Sequence, residues 1–297
     1  MFSKSTFLHL RIPFSFFLLP VFLFSLSVSP NLTPPRLLWV FVTLHFFLYP
    51  ASNGFNSYFD KDQKSIGGLK NPPAVRKGLY WMALLFDAVA VTLGALKVSL
   101  LFAGMLVVYG LVSKAYSHPS VRLKRFPVVG WLVTGLFQGL FTFMMCYVGI
   151  NNFDLQNLLH LKVLFPAVMT SIMLWANYPM TQVYQHDEDA ARGDKTLSLL
   201  LGVRGTFYFT AAFFGLAAVG FIFYFGQYHQ LWYAKVFLLA LCPVALYFGF
   251  WFWKVLKDPG YADFSHTMWL NFISAFSLNA FFVWFFFDVS HVGQYLF

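Results

Sequence analysis

Charged side chains are scarce in this chain, and acidic ones are the scarcest. Of its 297 residues only 10% are charged, and Asp and Glu together number 11. A soluble domain carries about 25% charged residues, so this chain lacks the polar surface that a water-soluble fold of its size needs. The composition therefore excludes a soluble protein, and no polar stretch is long enough to form a separate soluble domain.

Cysteine is also rare. Only Cys146 and Cys242 occur, both inside apolar segments, which excludes a disulfide framework and a thiolate metal site. The net charge of +9 does not indicate a nucleic-acid-binding protein, because the basic residues lie in short loops between apolar runs and not on one polar surface. Nothing in the sequence indicates an obligate protein partner.

Apolar and aromatic residues are abundant instead, at 59% and 22% of the chain, with a mean hydropathy of +0.65. Apolar stretches of about 20 residues, the length needed to cross the hydrocarbon core of a bilayer, recur along the whole sequence. We predict an all-α polytopic membrane protein, with residues 1–297 forming a single domain and a central cavity. About nine transmembrane helices are expected, at residues 12–29, 36–55, 78–96, 98–113, 127–149, 163–182, 207–226, 234–253 and 267–287.

The distribution of Lys and Arg predicts how these helices are oriented. Alternating spans place four of the 20 basic residues on one side, namely Arg36, Lys97, Lys162 and Lys235, and all the others on the opposite side. Positive residues prefer cytoplasmic loops. We therefore expect the N-terminus and the loops after every second span to face the cytoplasm, across the cell's inner membrane if the protein is bacterial.

Six of the 11 acidic residues fall in two of these cytoplasmic loops, after the second and sixth spans: Asp60, Asp62, Asp187, Glu188, Asp189 and Asp194. Asn56 precedes Asp60 by four residues, and Gln185 precedes Asp189 by four, so each pair shares one face of a helix end. Oxygen ligands that face one cavity suit Mg²⁺, which bridges to substrate phosphates. The alternative is a pair of solvated, charged loops.

The residues around the two acidic clusters form recognisable motifs. The first runs Asn56-Ser-Tyr-Phe-Asp60 and continues through Gly67, Lys70 and Pro72; the second runs from Gln185 to Asp189 and continues through Gly193, Thr196, Leu197 and Gly202. These runs resemble the two Asp-rich motifs of the UbiA superfamily of intramembrane prenyltransferases. The segment from Tyr116 to Arg125 resembles that family's basic segment between the fourth and fifth spans.

The resemblance implies a reaction. Family members bind an allylic isoprenoid diphosphate through Mg²⁺, ionise its C–O bond and let a second, lipophilic substrate attack the carbocation. That acceptor would be an aromatic quinone precursor, a carotenoid-like polyene or a glycerol lipid. The high aromatic content suits a dry cavity around a cation and an apolar tail.

The resemblance also implies a set of site residues. It assigns Asn56, Asp60 and Asp189 as catalytic residues that hold Mg²⁺, with Asp62 and Gln185 as further metal ligands. The implied diphosphate-binding residues are Lys70, Tyr116, Lys124, Arg125, Arg192 and Lys195.

The chain departs from the family pattern at two positions. Lys64 stands where the first motif has a second Asp, and Gln185 stands where the second motif has its first acid. These departures leave the number of metal ions and turnover itself open, and they favour a non-catalytic isoprenoid-binding protein as an alternative. A terpene cyclase of the same superfamily is another alternative. A transporter is a weaker one, because carriers place ionisable groups near the membrane midplane.

Further polar residues lie within or beside the predicted spans. Asp87, at the centre of the third span, indicates either a functional group or a carboxylic acid hydrogen-bonded between helices. Asn177, Tyr178, Gln182 and Tyr184 approach the second motif along the sixth span. These four side chains either line the acceptor pocket or make polar contacts between helices.

Overall fold

The chain folds into helices joined by short loops. The computed structural model describes residues 3–292, and within that range its only β-type pairing is an isolated bridge between Ile66 and Leu69. A bilayer offers no water to backbone N–H and C=O groups, so an apolar run crosses it as an α-helix, which pairs these groups internally. The α-helices are α1 (Lys4–Leu10), α2 (Leu19–Ser27), α3 (Pro34–Val42), α4 (Tyr49–Asp60), α5 (Gly78–Lys97), α6 (Leu100–Ser117), α7 (Pro127–Gly135), α8 (Thr142–Asn151), α9 (Leu161–Asn177), α10 (His186–Arg192), α11 (Leu197–Tyr228), α12 (Leu231–Lys257) and α13 (Phe264–Ser290).

Within residues 3–292, seven helical segments are long and apolar enough to cross a membrane. They are Gly78–Lys97, Leu100–Ser117, Pro127–Asn151, Leu161–Thr181, Leu197–Tyr228, Leu231–Lys257 and Phe264–Ser290. The segments Lys4–Phe17 and Leu19–Ser27 form an eighth span if this pair, bent by 41°, crosses as one unit. The predicted all-α membrane architecture is confirmed, and the predicted count of nine spans is approximate.

The second predicted span explains why the count is approximate. Helices α3 and α4 join through a π-helical segment, Thr43–Leu48, into one continuous helical stretch. Its last turns carry Asn53, Asn56 and Asp60, which line a cavity. Because this part of the stretch faces a polar cavity, it is less apolar than the helices that face lipid.

Helix α11 begins at Leu197, well before the start at residue 207 that hydropathy predicts. The hydroxyl oxygen of Thr196 accepts a hydrogen bond from the backbone N–H of Leu199 at 3.3 Å and caps the helix. Gly202 then interrupts the helix with φ 69° and ψ 172°, a conformation that glycine adopts without steric cost. His186 of α10 lies within hydrogen-bonding distance of the Ser198 hydroxyl on α11, at 2.8 Å, which keeps this end of the second motif close to α10.

Aromatic rings hold the helices together on the side away from the acidic clusters. Phe24 on α2 stacks on Phe282 of α13 with a centroid distance of 4.5 Å. It also contacts Phe143 of α8 and Phe221 of α11, each at 5.5 Å. Lipid tails are as apolar as these rings, so close packing, and not removal from water, stabilises such contacts in a membrane.

A second π-helical segment, Leu136–Phe141, lies where two spans approach closely. A Cβ added to Gly139 would lie 2.6 Å from the backbone of Ser171 on α9, so only glycine fits there. The hydroxyl of Ser171 donates to the carbonyl of Gly135 at 2.8 Å and accepts from the backbone N–H of Leu140 at 2.9 Å. Ser171 thus satisfies two backbone groups at the irregular part of the helix.

Replacement of this hydroxyl is expected to destabilise the fold. Ser171→Ala leaves the Leu140 N–H and the Gly135 carbonyl without this partner, which costs about 1–2 kcal/mol. The melting temperature in detergent should fall by roughly 3–6 °C. Ser277→Ala is the matched control, because Ser277 is also buried and forms no hydrogen bond among the described residues. Equal melting temperatures for the two variants would contradict the role given to Ser171.

Candidate active site

The first acidic cluster lies at the C-terminal end of α4. Asn56 and Asp60 are one turn apart on this helix, and both line a cavity of about 270 Å³. Lys61 then adopts a left-handed conformation with φ 51°, which ends the helix. Asp62 follows and lines the same cavity. The structure therefore brings all three predicted side chains of this cluster together.

The second acidic cluster forms the short helix α10 and the turn that follows it. The backbone N–H of Asp194 donates to the carbonyl of Asp189 at 2.9 Å, which folds the turn back against the helix. Gln185, Asp189, Asp194 and Thr196 line the same cavity as the first cluster. Two clusters that are far apart in sequence therefore meet at one site.

Lys124 joins the first cluster to the basic segment between α6 and α7. Its ammonium group, of which 7% is exposed, donates to Asp60 Oδ1 and, at 3.3 Å, to Asn56 Oδ1. The hydroxyl of Ser117 also donates to Asn56 Oδ1, at 2.6 Å. The amide oxygen of Asn56 is therefore held by two donors beside the Asp60 carboxylate.

Arg122 forms a two-pronged ion pair with the second cluster. Its Nε lies 2.7 Å from Asp194 Oδ1, and its Nη2 lies 2.9 Å from Asp194 Oδ2. Its Nη2 is also 3.5 Å from Asp60 Oδ1. Paired N–H donors of this kind fix the orientation of a carboxylate as well as neutralise it.

Arg192 contacts three carboxylates and connects the two clusters. It donates to Asp62 Oδ1, to Asp189 Oδ1 at 2.5 Å and to Asp194 Oδ2 at 3.3 Å. The hydroxyl of Thr196 supports the second Asp189 oxygen at 3.4 Å. Arg192, which the sequence predicts to bind the diphosphate, is therefore paired with acidic side chains in the structure.

Arg11 is a cavity residue that the sequence interpretation missed. Its guanidinium donates to the carbonyl of Gly67 at 3.2 Å and to that of Asn53 at 3.4 Å, so it bridges the loop after α4 to the helix itself. The sequence signal was only a positive charge before the first apolar run, which counts equally toward membrane orientation.

Burial and ion pairing change the acidity of the carboxyl groups outside the spans. Burial raises the pKa of Asp189 to about 7, outweighing the attraction of Arg192. Burial and then repulsion from Asp60 raise the pKa of Asp62. Burial also acts to raise the pKa of Asp194, but the hydrogen bonds from Arg122, together with neighbouring positive charges, keep it below its ordinary value.

The oxygen atoms of the site fit the chemistry of Mg²⁺. Within residues 3–292 no three His, Cys, Asp or Glu side chains form a ready-made metal cluster. The second oxygens of Asp60 and Asp62 nevertheless accept no hydrogen bond from any described residue, so each is free for a cation. Mg²⁺ prefers hard oxygen ligands and keeps waters or phosphate oxygens in its shell. A Mg²⁺ site whose remaining ligands are water and diphosphate oxygens therefore needs only a few protein ligands.

The two positions that depart from the family pattern connect the loops. Lys64 is exposed and lies 3.3 Å from Asp187, while its backbone N–H donates to Glu188 Oε1 at 2.9 Å. The side-chain amide of Gln185 donates to the carbonyl of Ser65 at 3.2 Å. Both residues thus bind the loop after α4 to α10, and metal coordination by Gln185 stays a prediction.

The predicted diphosphate-binding residues divide into two groups. Tyr116, Lys124 and Arg192 line the cavity. Lys70, Arg125 and Lys195 are exposed and do not line it. The guanidinium of Arg125 lies over the ring of its neighbour Phe126, 4.8 Å from the ring centroid. A role for these three exposed residues in diphosphate binding stays a prediction.

Polar residues within the spans have partners of their own. Asp87 forms an ion pair with Lys114, which joins α5 to α6 away from the cavity lining. This pairing supports the interhelical interpretation of Asp87. The hydroxyls of Tyr116 and Tyr178 are hydrogen-bonded to each other at the cavity wall. Tyr49, Tyr109 and Phe137 complete an aromatic part of the same wall.

Fold and site together define a polytopic helical membrane protein whose buried cavity is lined by paired acidic and basic side chains at one end and by aromatic rings at the other. The chain belongs to the UbiA prenyltransferase family, whose pattern matches residues 17–276. The predicted family membership is thereby confirmed. No curated protein shows a significant sequence match to the chain.

Solved structures show the same fold. A UbiA homolog from Archaeoglobus fulgidus bound to DMAPP and Mg²⁺ superposes with a TM-score of 0.69 at 17% identity, covering 97% of this chain and 99% of that one. The homolog bound to GPP and Mg²⁺ gives a TM-score of 0.70 at 17% identity, covering 96% and 99%. A structure of digeranylgeranylglyceryl phosphate synthase gives 0.59 at 19% identity, covering 94% and 97%.

The raised pKa of Asp189 makes the stability of the metal-free protein depend on pH. Its folded-state pKa of about 7 exceeds the ordinary value of 3.8, so the folded protein binds this proton more tightly than the unfolded chain. Stability is then lost as the pH rises through the interval between these values. Relative to Asp189→Asn, the melting temperature of the wild type should fall between about pH 4 and about pH 7.

Thermal unfolding in detergent with a chelator measures this difference. Asp187→Asn is the matched control, because Asp187 lies on the same helix with 90% of its side chain exposed. The control should retain the pH dependence of the wild type. A melting temperature of Asp189→Asn that follows the wild type at every pH would contradict the assignment.

Proposed function

We propose that the protein transfers a prenyl group from an allylic isoprenoid diphosphate to a lipophilic acceptor within the membrane. One observation carries the proposal: the acidic ends of α4 and α10 meet Lys124 and Arg192 around one buried cavity that continues into aromatic walls. The relatives solved with DMAPP or GPP and Mg²⁺ support it.

Asn56, Asp60, Asp62 and Asp189 are the residues that would hold Mg²⁺, with Gln185 beside them. Bound there, the metal would neutralise the negative charge that develops on the diphosphate as the allylic C–O bond breaks. The charges that line the cavity support the need for a metal ion. Four carboxylates line it, and their nearest cations nearly cancel them. A diphosphate therefore enters such a site favourably only with an accompanying cation.

Lys124 and Arg192 are placed to bind the phosphate oxygens. Both now donate to carboxylates within the cavity lining. If these carboxylates held Mg²⁺, the ammonium and guanidinium groups would be free to donate to the diphosphate. Charge-assisted donors held in a site of low dielectric stabilise a leaving group more than the same donors in water.

The aromatic wall suits the other half of the substrate. As the C–O bond breaks, its electron pair leaves with the diphosphate, and an allylic cation remains. Tyr49, Tyr109 and Phe137 line the same cavity, and ring faces attract such a cation. A new bond then forms between the allylic carbon and the acceptor, which loses a proton.

Pyrophosphate release tests the proposed reaction. Purified protein with Mg²⁺, farnesyl or geranylgeranyl diphosphate and a membrane lipid extract is expected to release pyrophosphate. Asp60→Asn and Asp189→Asn should each lower the rate at least about 100-fold, because each removes a charge that holds the metal. Asp187→Asn, whose exposed carboxyl does not line the cavity, should leave the rate unchanged.

The same assay separates the alternatives. Release that continues without the lipid extract would indicate a cyclase, which needs no acceptor. Diphosphate binding without release from any donor would indicate an isoprenoid-binding protein. Equal rates for Asp60→Asn and the wild type would overturn the assignment of the site.

We also propose that this cavity opens toward the cytoplasm, as the distribution of Lys and Arg predicts. In a variant with both native cysteines replaced by Ser, one new cysteine can be placed at either of two exposed positions. Lys64 lies in the loop that follows α4, and Gln156 lies in the segment that follows α8. In spheroplasts of a bacterial host, a membrane-impermeant maleimide should label Gln156→Cys at once and Lys64→Cys only after permeabilisation. The reverse pattern would invert the orientation.

A further inference from the structure

A second, larger cavity lies beside the one that holds the acidic clusters. Its volume is about 420 Å³, and side chains of α2, α9, α11, α12 and α13 line it. None of its described lining residues is charged, and most are apolar, such as Phe24, Phe237 and Leu241. A ligand of this cavity would therefore be largely apolar and would carry no charge in its buried part.

The two cavities meet at a pair of asparagines. Asn177 on α9 and Asn271 on α13 line both of them, together with Phe17 and Leu174. The side-chain amide of Asn177 donates to Asn271 Oδ1 at 3.2 Å. The border between the charged cavity and the apolar one is thus formed by two amide groups.

This asparagine pair has hydrogen-bonding capacity to spare. Asn271 is only 4% exposed, and its amide nitrogen donates to no described residue. The buried Oδ1 of Asn177 likewise has no partner. Exchanging the oxygen and nitrogen of both amides would leave the same result, namely one free acceptor and one free donor at the junction.

A third unpartnered group lies one turn further along α13. Ser274 lines the larger cavity, and its buried hydroxyl also has no partner. Buried polar groups without hydrogen bonds cost about 1–3 kcal/mol each, so several of them facing one cavity require an explanation. A bound polar group at the junction would satisfy them.

The unpaired groups specify the chemistry of that ligand. A hydroxyl both donates and accepts, and so it matches one free acceptor beside one free donor. A carboxylate only accepts, and no cation lines the larger cavity to neutralise it. An isoprenoid tail offers neither a donor nor an acceptor and would leave the amides unsatisfied.

We propose that Asn177 and Asn271 bind the hydroxyl group of an uncharged, lipophilic phenol or alcohol, whose apolar remainder occupies the larger cavity. This inference rests on the proposed prenyl transfer, for which such a molecule is the acceptor. The asparagine pair holds the polar end of the acceptor at the border of the cavity that receives the diphosphate. It thereby selects neutral hydroxyl compounds over carboxylic acids.

Binding of three matched probes tests the proposal without turnover. The probes are para-nonylphenol, its methyl ether and para-nonylbenzoate, measured by calorimetry on the full chain in lipid nanodiscs, with empty nanodiscs as the blank. Loss of a hydrogen bond from a buried pair costs about tenfold in affinity. The wild type should bind the phenol at least about tenfold more tightly than the ether or the benzoate. Asn271→Leu should remove this preference.

Asn279→Leu is the matched control, since Asn279 is a buried asparagine on the same helix that lines neither cavity. It should retain the preference for the phenol. Equal binding of the three probes by the wild type, a preference that survives in Asn271→Leu, or a preference lost equally in Asn279→Leu would overturn the inference. The comparison on the wild type is decisive even if a variant fails to fold.

The outcome is independent of the proposed reaction, because the probes are measured without diphosphate or Mg²⁺. A preference for the phenol in a protein that releases no pyrophosphate would support the hydroxyl site and reject the enzyme. Pyrophosphate release without any preference would support the enzyme and reject the hydroxyl site.

Discussion

Pairing of buried acids with buried bases is the constraint on which the rest of this structure depends. Asp60 and Asp189 lie in a cavity among membrane helices, where an unpaired carboxylate is costly. Lys124 neutralises the first, and Arg192 joins the second to Asp62 and Asp194. Three segments that are distant in sequence must therefore converge, because none of them can bury its charges alone.

This network of buried ion pairs is not the main source of the stability of the folded protein. Buried ion pairs are often no more stabilising than apolar residues of the same volume, because desolvation offsets their attraction. Stability comes instead from the packed aromatic rings around Phe24 and from close helix contacts such as Gly139 against Ser171. The molecule thus separates a tightly packed region from a cavity lined by paired acidic and basic side chains.

The two cavities also differ in polarity. Charged and aromatic groups line the smaller one, and apolar side chains line the larger. Asn177 and Asn271 stand between them, hydrogen-bonded to each other and with one free acceptor and one free donor. A donor with a charged head and a lipophilic acceptor would each meet surroundings of its own polarity, and the two would approach each other at the junction.

Sequence alone determined the helical membrane architecture, since hydropathy and chain length act locally along each segment. It also predicted that Asn56 and Asp60 share one face of a helix, because four-residue spacing places side chains on one helix face whatever surrounds the helix. Only the tertiary structure decided which basic residues complete the site. Lys124 and Arg192 point into the cavity, Arg125 and Lys195 face outward, and Arg11 arrives from the first helical segment. All of these side chains carry the same positive charge, and the directions in which they point depend on how helices and loops pack. The junction of Asn177 with Asn271 likewise exists only because α9 and α13 meet, a contact that no local pattern encodes.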